Sequence, residues 1–374
     1  MLRNGVRGDV SDGSGFLVIG GGIAGLSVAL ALASRAQRVT VFDEPRAGAA
    51  SRASAGMLAP GIGFPDWLTD RAFAARDHYS GFLAALQAGT GLDVPLNHHG
   101  LIELVASRAA ADAAVARLVR RVSGASNPAP EVLGATDLEA LEPGLGSHPW
   151  GVLHPGDGAV DVHRLMDALD AAVALHPAID RRKSAVSGVQ VGEDAASVTH
   201  VDGGTTRGGC VVLAGGAWVS QLTGLPQPIP VRPVRGQLML LARAGVRHVI
   251  DGGGGYLVPR GGMVLVGATV EEVGYAAEST LGGAAELSGI ATRVLPALAT
   301  AAVVDRWAGL RPVTPDGFPI AGRDPRAPRL AYCCGLSRNG VLFGPWLAEQ
   351  LARALVEERT EGLDGFGIDR FVQR

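Results

Sequence analysis

The sequence predicts an α/β chain, α+β overall, in which an N-terminal parallel unit is interrupted by inserts that build a second, strand-rich domain. Three observations predict it. Phe16 to Glu44 reads strand, glycine turn, helix, strand, acid, which is one βαβ unit. Val211-Val212-Leu213-Ala214-Gly215-Gly216 repeats the theme of a buried strand running into glycine. Between them and after them, short alternating apolar runs broken by Gly-rich turns indicate antiparallel strands. At 374 residues, 47% of them hydrophobic, the chain exceeds what one core organises, so two domains are expected.

Taken in order, Phe16-Leu17-Val18-Ile19 is a buried-strand pattern, and Ile23 to Ser34 a helix apolar on most of its surface. Val39 to Phe42 is a second strand. An Ala/Gly/Ser-rich segment covers 45–63, then a helix about 66–89. Leu96 to Val105 is strand-like, 107–122 an alanine-rich helix, and the Pro-rich stretch 128–149 a linker. Asp161 is placed to cap a helix running to about Leu175. Arg181-Arg182-Lys183 reads as a solvated turn, 184–213 as a small antiparallel meander, and Pro230 to Thr269 as strands with Gly-rich turns. The chain then reads helix (281–298), strand (329–334), tight turn (335–340) and a helix from about Pro345 to Glu358.

The formal net charge of -3 offers no general attraction to nucleic acid or an anionic membrane. Lys183 is the only lysine, so Schiff-base chemistry has one candidate, in a polar run. Three cysteines, Cys210 and the pair Cys333-Cys334, are too few for a disulfide framework. The first fourteen residues show no leader pattern and no apolar run is long enough for a membrane span, so the expected compartment is reducing and cytoplasmic. His98-His99, His148, His154 and His163 lack metal-ligand spacing, and no metal is expected. No nucleophile elbow is found.

Gly20-x-Gly22-x-x-Gly25 meets the requirements of a pyrophosphate site in a Rossmann-type unit. Gly20 allows the tight turn, Gly22 lets the backbone approach the phosphates, and Gly25 lets the helix pack on the strand with its N–H groups facing the anion. Asp43, ending the second strand, is placed to accept from adenosine ribose hydroxyls, which argues against a 2′-phosphate. This unit does not separate FAD from NAD.

Four blocks, in order, resemble the D-amino-acid oxidase superfamily, and within it the glycine oxidase family with its thiamine-pathway members. They are residues 17–44; Ser51-Arg52-Ala53-Ser54-Ala55-Gly56-Met57-Leu58-Ala59-Pro60; Tyr256-Leu257-Val258-Pro259-Arg260 with Val266-Gly267-Ala268-Thr269; and Trp307-Ala308-Gly309-Leu310-Arg311-Pro312, Thr314-Pro315-Asp316-Gly317 and Gly335-Leu336-Ser337-Arg338-Asn339-Gly340. The resemblance covers about 15–370 and implies a D-amino-acid oxidase-like fold. Its FAD-binding domain comprises 14–90, 146–225 and 313–374, and its substrate-binding domain 91–145 and 226–312. Ile23, Ala24, Asp43 and Glu44 would contact the adenosine half of FAD, and Val186 the adenine. Ala50, Ser51, Ala55, Gly56 and Met57 would line the flavin, and the turn Leu336, Ser337, Arg338, Asn339, Gly340, Val341, Leu342 its pyrimidine end. Tyr256 and Arg311 would bind the substrate carboxylate and Arg338 close that pocket. FAD would be noncovalent, because no cysteine stands in the block around Arg311. The sequence departs from the family at Leu336, where relatives usually have histidine, and at Gly252-Gly253-Gly254-Gly255.

The implied reaction moves a hydride from the α-carbon of a small amino acid (glycine, sarcosine or a small D-amino acid) to flavin N5. The resulting imine hydrolyses to keto acid and ammonia, and O₂ becomes H₂O₂. What the protein must supply is position, and a guanidinium at Arg311 suits a carboxylate because it holds it by two parallel bonds. From the residues alone, the alternatives are that Arg311 pairs with Asp305 or Asp316, that Tyr256 is a strand aromatic, and that Arg338 is a surface turn residue. A dehydrogenase of the same fold with another acceptor, and a flavin-binding protein without turnover, are the alternative functions. A homo-oligomer is left open.

Overall fold

In the computed structural model, residues 14–119, 128–243 and 245–371 are described. Phe16–Ile19 (β1) is apolar throughout because it is buried on both faces at the centre of a six-stranded sheet. It pairs in parallel with Val39–Phe42 (β2) on one side and Cys210–Leu213 on the other. Ile179–Arg182 extends the sheet beyond β2, and Leu330–Cys334 extends it beyond Cys210–Leu213. Helix Ile23–Ala33 (α1) is apolar all round for the same reason: it lies between this sheet and the helices Val162–Leu175 and Gly340–Val356. The small antiparallel sheet of 186–208 follows the expected meander. Asp161 caps its helix, accepting from the N–H groups of His163 (3.0 Å) and Arg164 (3.2 Å).

The second sheet has eight strands, in the order Val303–Val313, Arg232–Leu241, Met263–Gly267, Gly255–Arg260, Val249–Gly252, Leu101–Val105, Trp150–His154, Glu131–Gly134. Period-2 alternation gives it two faces. Ile102, Ile250, Leu257, Val264 and Val266 pack beneath helix Leu281–Val294. Leu101, Val249, Val258, Leu265 and Leu238 face the other way, toward Ala55 and Met57.

Several expectations need correction. The stretch 128–149 is not a linker, since it holds strand Glu131–Gly134 and helix Ala135–Leu141. Arg181-Arg182 is not a turn but the end of strand Ile179–Arg182, aligned with β2. The alanine-rich helix runs Arg108–Val119; its expected end at 122 lies outside the described residues. Strand Trp150–His154, in a segment expected to be FAD-binding, pairs with Leu101–Val105 and Glu131–Gly134 of the eight-stranded sheet. The last helix begins at Gly340 and carries Pro345 inside it. Proline there leaves the Val341 carbonyl without its helical donor, and the buried Tyr79 hydroxyl donates to that carbonyl at 2.6 Å.

Candidate functional site

The carboxyl ends of β1, β2 and Cys210–Leu213 open into a cavity of about 1610 Å³ that continues to the inner face of the eight-stranded sheet. Ligands of open α/β sheets bind at such strand ends, where the chain turns to opposite sides. Every site residue expected from the sequence lines this cavity except Gly25. A Cβ on Gly25 would overlap the Gly20 carbonyl oxygen, so glycine is what lets α1 rest on the turn. Gly20 has φ +117° and lies against the Ala214 backbone. The Ile23 N–H at the start of α1 donates to Ser51 Oγ at 3.0 Å, bringing the segment 51–60 to the helix N-terminus. Asp43 accepts from the Gly21 N–H at 3.1 Å and pairs with Arg181 at 2.7 Å. Glu44 pairs with Arg46, whose guanidinium lies over the Trp218 ring.

At the far end, Tyr256 and Arg311 meet above the sheet. Their strands are separated by two others, each with a glycine beneath one of the two side chains. A Cβ on Gly267 would overlap the Tyr256 ring, and one on Gly236 would overlap the Arg311 guanidinium. The two side chains therefore lie flat across the sheet, toward each other, with the Arg311 charge acting on the Tyr256 oxygen. Burial pushes the Tyr256 pKa up against the pull of Arg311, so its own hydroxyl proton stays available for donation. Arg311 Nη1 also donates to the carbonyls of Thr269 (3.0 Å) and Arg235 (3.3 Å). Neither carboxylate proposed as its partner takes it. Asp316 pairs with Arg370 at 2.8 Å and Asp305 accepts from the Arg306 N–H. Among the described residues Arg311 makes no ion pair, and it faces the cavity.

Behind this pair sits a buried polar network that sequence reasoning missed. Glu271 accepts from Arg235 at 2.5 Å, Gln237 at 2.7 Å and Thr269 at 2.6 Å. The Arg235 guanidinium holds its carboxyl well below the usual range, at about 2. The strand of Arg311 also ties the walls together. Leu310 N–H donates to Gly48 O, Trp307 Nε1 to Ala53 O, and Ser337 N–H to Pro312 O. Arg338 is exposed and lies over Gly63. The Leu336 side chain is buried in the apolar core and offers no hydrogen bond. Gly252–Gly255 make the hairpin turn before Tyr256. Gly254 lines the cavity, and a Cβ there would meet only Arg293, at 3.8 Å.

A slot with glycine at its Gly20–Gly25 turn, an acid at the end of β2 and a long apolar channel fits FAD. The chain belongs to the DAO family of FAD dependent oxidoreductases, which it matches over residues 16–354. Its cofactor is FAD.

Within that family it is similar to glycine oxidases. It is 32% identical to the glycine oxidase of Geobacillus kaustophilus, over 95% of this chain and 96% of that one. It is 34% identical to a bifunctional protein ThiO/ThiG of Synechocystis sp., over 96% of this chain but 54% of that protein, so the chain spans about half the length of that relative. The iminodiacetate oxidase of Chelativorans sp. BNC1 superposes with TM-score 0.86 at 26% identity, covering 94% of this chain and 98% of that one. Among the described residues no group of His, Cys, Asp or Glu could hold a metal, and no helix is long and apolar enough to cross a membrane.

Proposed function

We propose that the chain oxidises the C–N bond of a small amino acid, giving an imine that water hydrolyses to keto acid and ammonia, with O₂ reduced to H₂O₂. The observation that supports this reading best is Arg311, a cavity-facing guanidinium without an ion-pair partner among the described residues, set beside a protonated Tyr256. A substrate carboxylate supplies the missing anion. Arg311 fixes its plane and Tyr256 donates the third bond. Bound FAD supplies the two-electron acceptor at N5. The protein's own task is to hold the α-carbon at the ring, exclude water and let the amine lose its proton before the bond is cleaved.

In this reading the six-stranded sheet and its helices carry the cofactor, and the inner face of the eight-stranded sheet carries the substrate. Gly20, Gly22 and Gly25 shape the pyrophosphate turn, and Ile23 and Ala24 present the start of α1. Asp43 and Glu44 serve the ribose, and Val186 the adenine. Ala50, Ser51, Ala55, Gly56 and Met57 line one side of the flavin. The turn from Leu336 through Ser337, Arg338, Asn339, Gly340 and Val341 to Leu342 lines its pyrimidine end, with Arg338 closing the substrate pocket. The open wall at Gly254 leaves room for a substituent, which supports testing sarcosine and small D-amino acids beside glycine. Anaerobic bleaching of the flavin with that panel tests the substrate class, and reoxidation by O₂ tests the acceptor. Bleaching by none of them would reject the amino-acid reading. Bleaching without fast reoxidation would replace O₂ by another acceptor.

A further inference from the structure

Asp43 stands in an ion-pair chain along the cavity mouth. Its Oδ1 accepts from the Gly21 N–H at 3.1 Å and its Oδ2 from Arg181 Nη2 at 2.7 Å. The other end of the same guanidinium, Nη1, donates to Asp170 Oδ1 at 2.7 Å. Asp170 Oδ2 accepts from Arg52 Nη2 at 2.7 Å, and Arg52 Nη1 donates to Asp167 at 3.0 Å. Asp43, Arg52, Asp170 and Arg181 all line the cavity. Asp43 and Arg181 are the better-covered pair, with 18% and 30% of their side chains exposed.

We propose that Arg181 is a positioning residue for the ribose of the bound dinucleotide, acting through Asp43. The inference rests on the reading that Asp43 serves that ribose. An ionised carboxylate offers about four acceptor sites, two on each oxygen. Gly21 takes one on Oδ1 and Arg181 one on Oδ2, which fixes the carboxylate plane and leaves one site on each oxygen. Two adjacent acceptors of that kind match two adjacent hydroxyls, so the chemistry selected is a nucleotide with a free vicinal 2′,3′-diol. Arg181 reaches Asp43 because its strand lies next to β2, with Val41 and Arg181 in register. It is held from behind by Asp170, whose other oxygen grips Arg52 in the short Ala50–Ala53 helix. The same chain thus links the adenosine and flavin ends of the slot.

The test is a double-variant cycle read as FAD affinity, by quenching of FAD fluorescence on titration into apoprotein. Arg181→Met is expected to weaken FAD binding about tenfold, the scale of one charge-assisted hydrogen bond. In an Asp43→Asn background the same change is expected to cost little, because there is no charged carboxylate left to aim. Arg181→Lys, which keeps the charge but cannot bridge Asp43 and Asp170, is expected to recover only part of the loss. Melting temperatures of the apoproteins separate misfolding from binding, and Arg181→Lys carries the test if Arg181→Met does not fold. An equal loss in both backgrounds would mean that Arg181 contacts the cofactor directly and would overturn the proposal. So would unchanged affinity in Arg181→Met. If Asp43→Asn alone leaves FAD affinity unchanged, the ribose reading itself fails, a result distinguishable from either.

Discussion

The ring of Tyr256 lies flat over Gly267, its register partner on the neighbouring strand, in space that any side chain at 267 would occupy. Gly236 gives Arg311 the same clearance from the opposite side. The two side chains meet because the two strands between them are locally bare. A tyrosine and an arginine on a sheet would otherwise stand upright and apart, since side chains project from the pleat.

Gly267→Ala should therefore damage turnover without touching the cofactor. The new methyl displaces the Tyr256 ring by the order of an ångström, and misplacement on that scale costs about tenfold to a hundredfold in kcat/KM. FAD affinity is expected to stay at the wild-type value. Steady-state kinetics with unaltered kcat/KM in this variant would show that the ring does not contact substrate.

Gly25→Val acts at the other end of the slot. The Gly20 carbonyl leaves no room for a side chain at 25, so α1 must lift from β1 and carry its N-terminal N–H groups away from the place proposed for the pyrophosphate. The variant is expected to purify colourless. A yellow protein with one FAD per chain would contradict this role for the turn.

The Glu271 network predicts a pH-dependent stability. Its carboxyl lies at about 2 against a usual 4.5. A lowered folded-state pKa stabilises above the unfolded value, and that contribution fades as pH falls toward 2. For a carboxyl left a quarter exposed, solvent screening reduces the contribution to about 1–2 kcal/mol. Glu271→Gln should lower stability by that order at pH 7, and the gap to wild type should narrow between pH 4.5 and 2.5. Urea midpoints at the two ends of the range check it; a gap that does not change with pH would assign the network's stability to shape alone.

Some of this was legible in the sequence and some was not. The βαβ unit was, because strand, turn, helix and acid are contiguous and each residue has a local job. The cavity-lining residues were found through ordered motifs, not through periodicity. The clearance at Gly236 and Gly267 left no local signal, since its cause is a side chain on another strand. The polar run predicts a turn at Arg181, yet strand Ile179–Arg182 lies at a sheet edge where polar residues are tolerated, and its partner Asp43 is distant in sequence. The region 128–149 was read as a linker from its prolines, while Glu131–Gly134 is a strand because Trp150–His154 offers it an edge.

The central claim is that Arg311 clamps a substrate carboxylate, and one comparison tests it directly. Wild type, Arg311→Ala and Arg311→Lys are measured for the concentration dependence of anaerobic flavin reduction, with FAD content and melting temperature taken on the same preparations. Loss of a charge-paired contact in a desolvated pocket costs about 2–5 kcal/mol. Arg311→Ala is expected to lose substrate affinity, reduction rate or both on that scale, with Arg311→Lys recovering part of it, while FAD content and melting temperature stay near wild type. A lowered melting temperature with wild-type reduction kinetics would contradict the account and make Arg311 a purely structural residue.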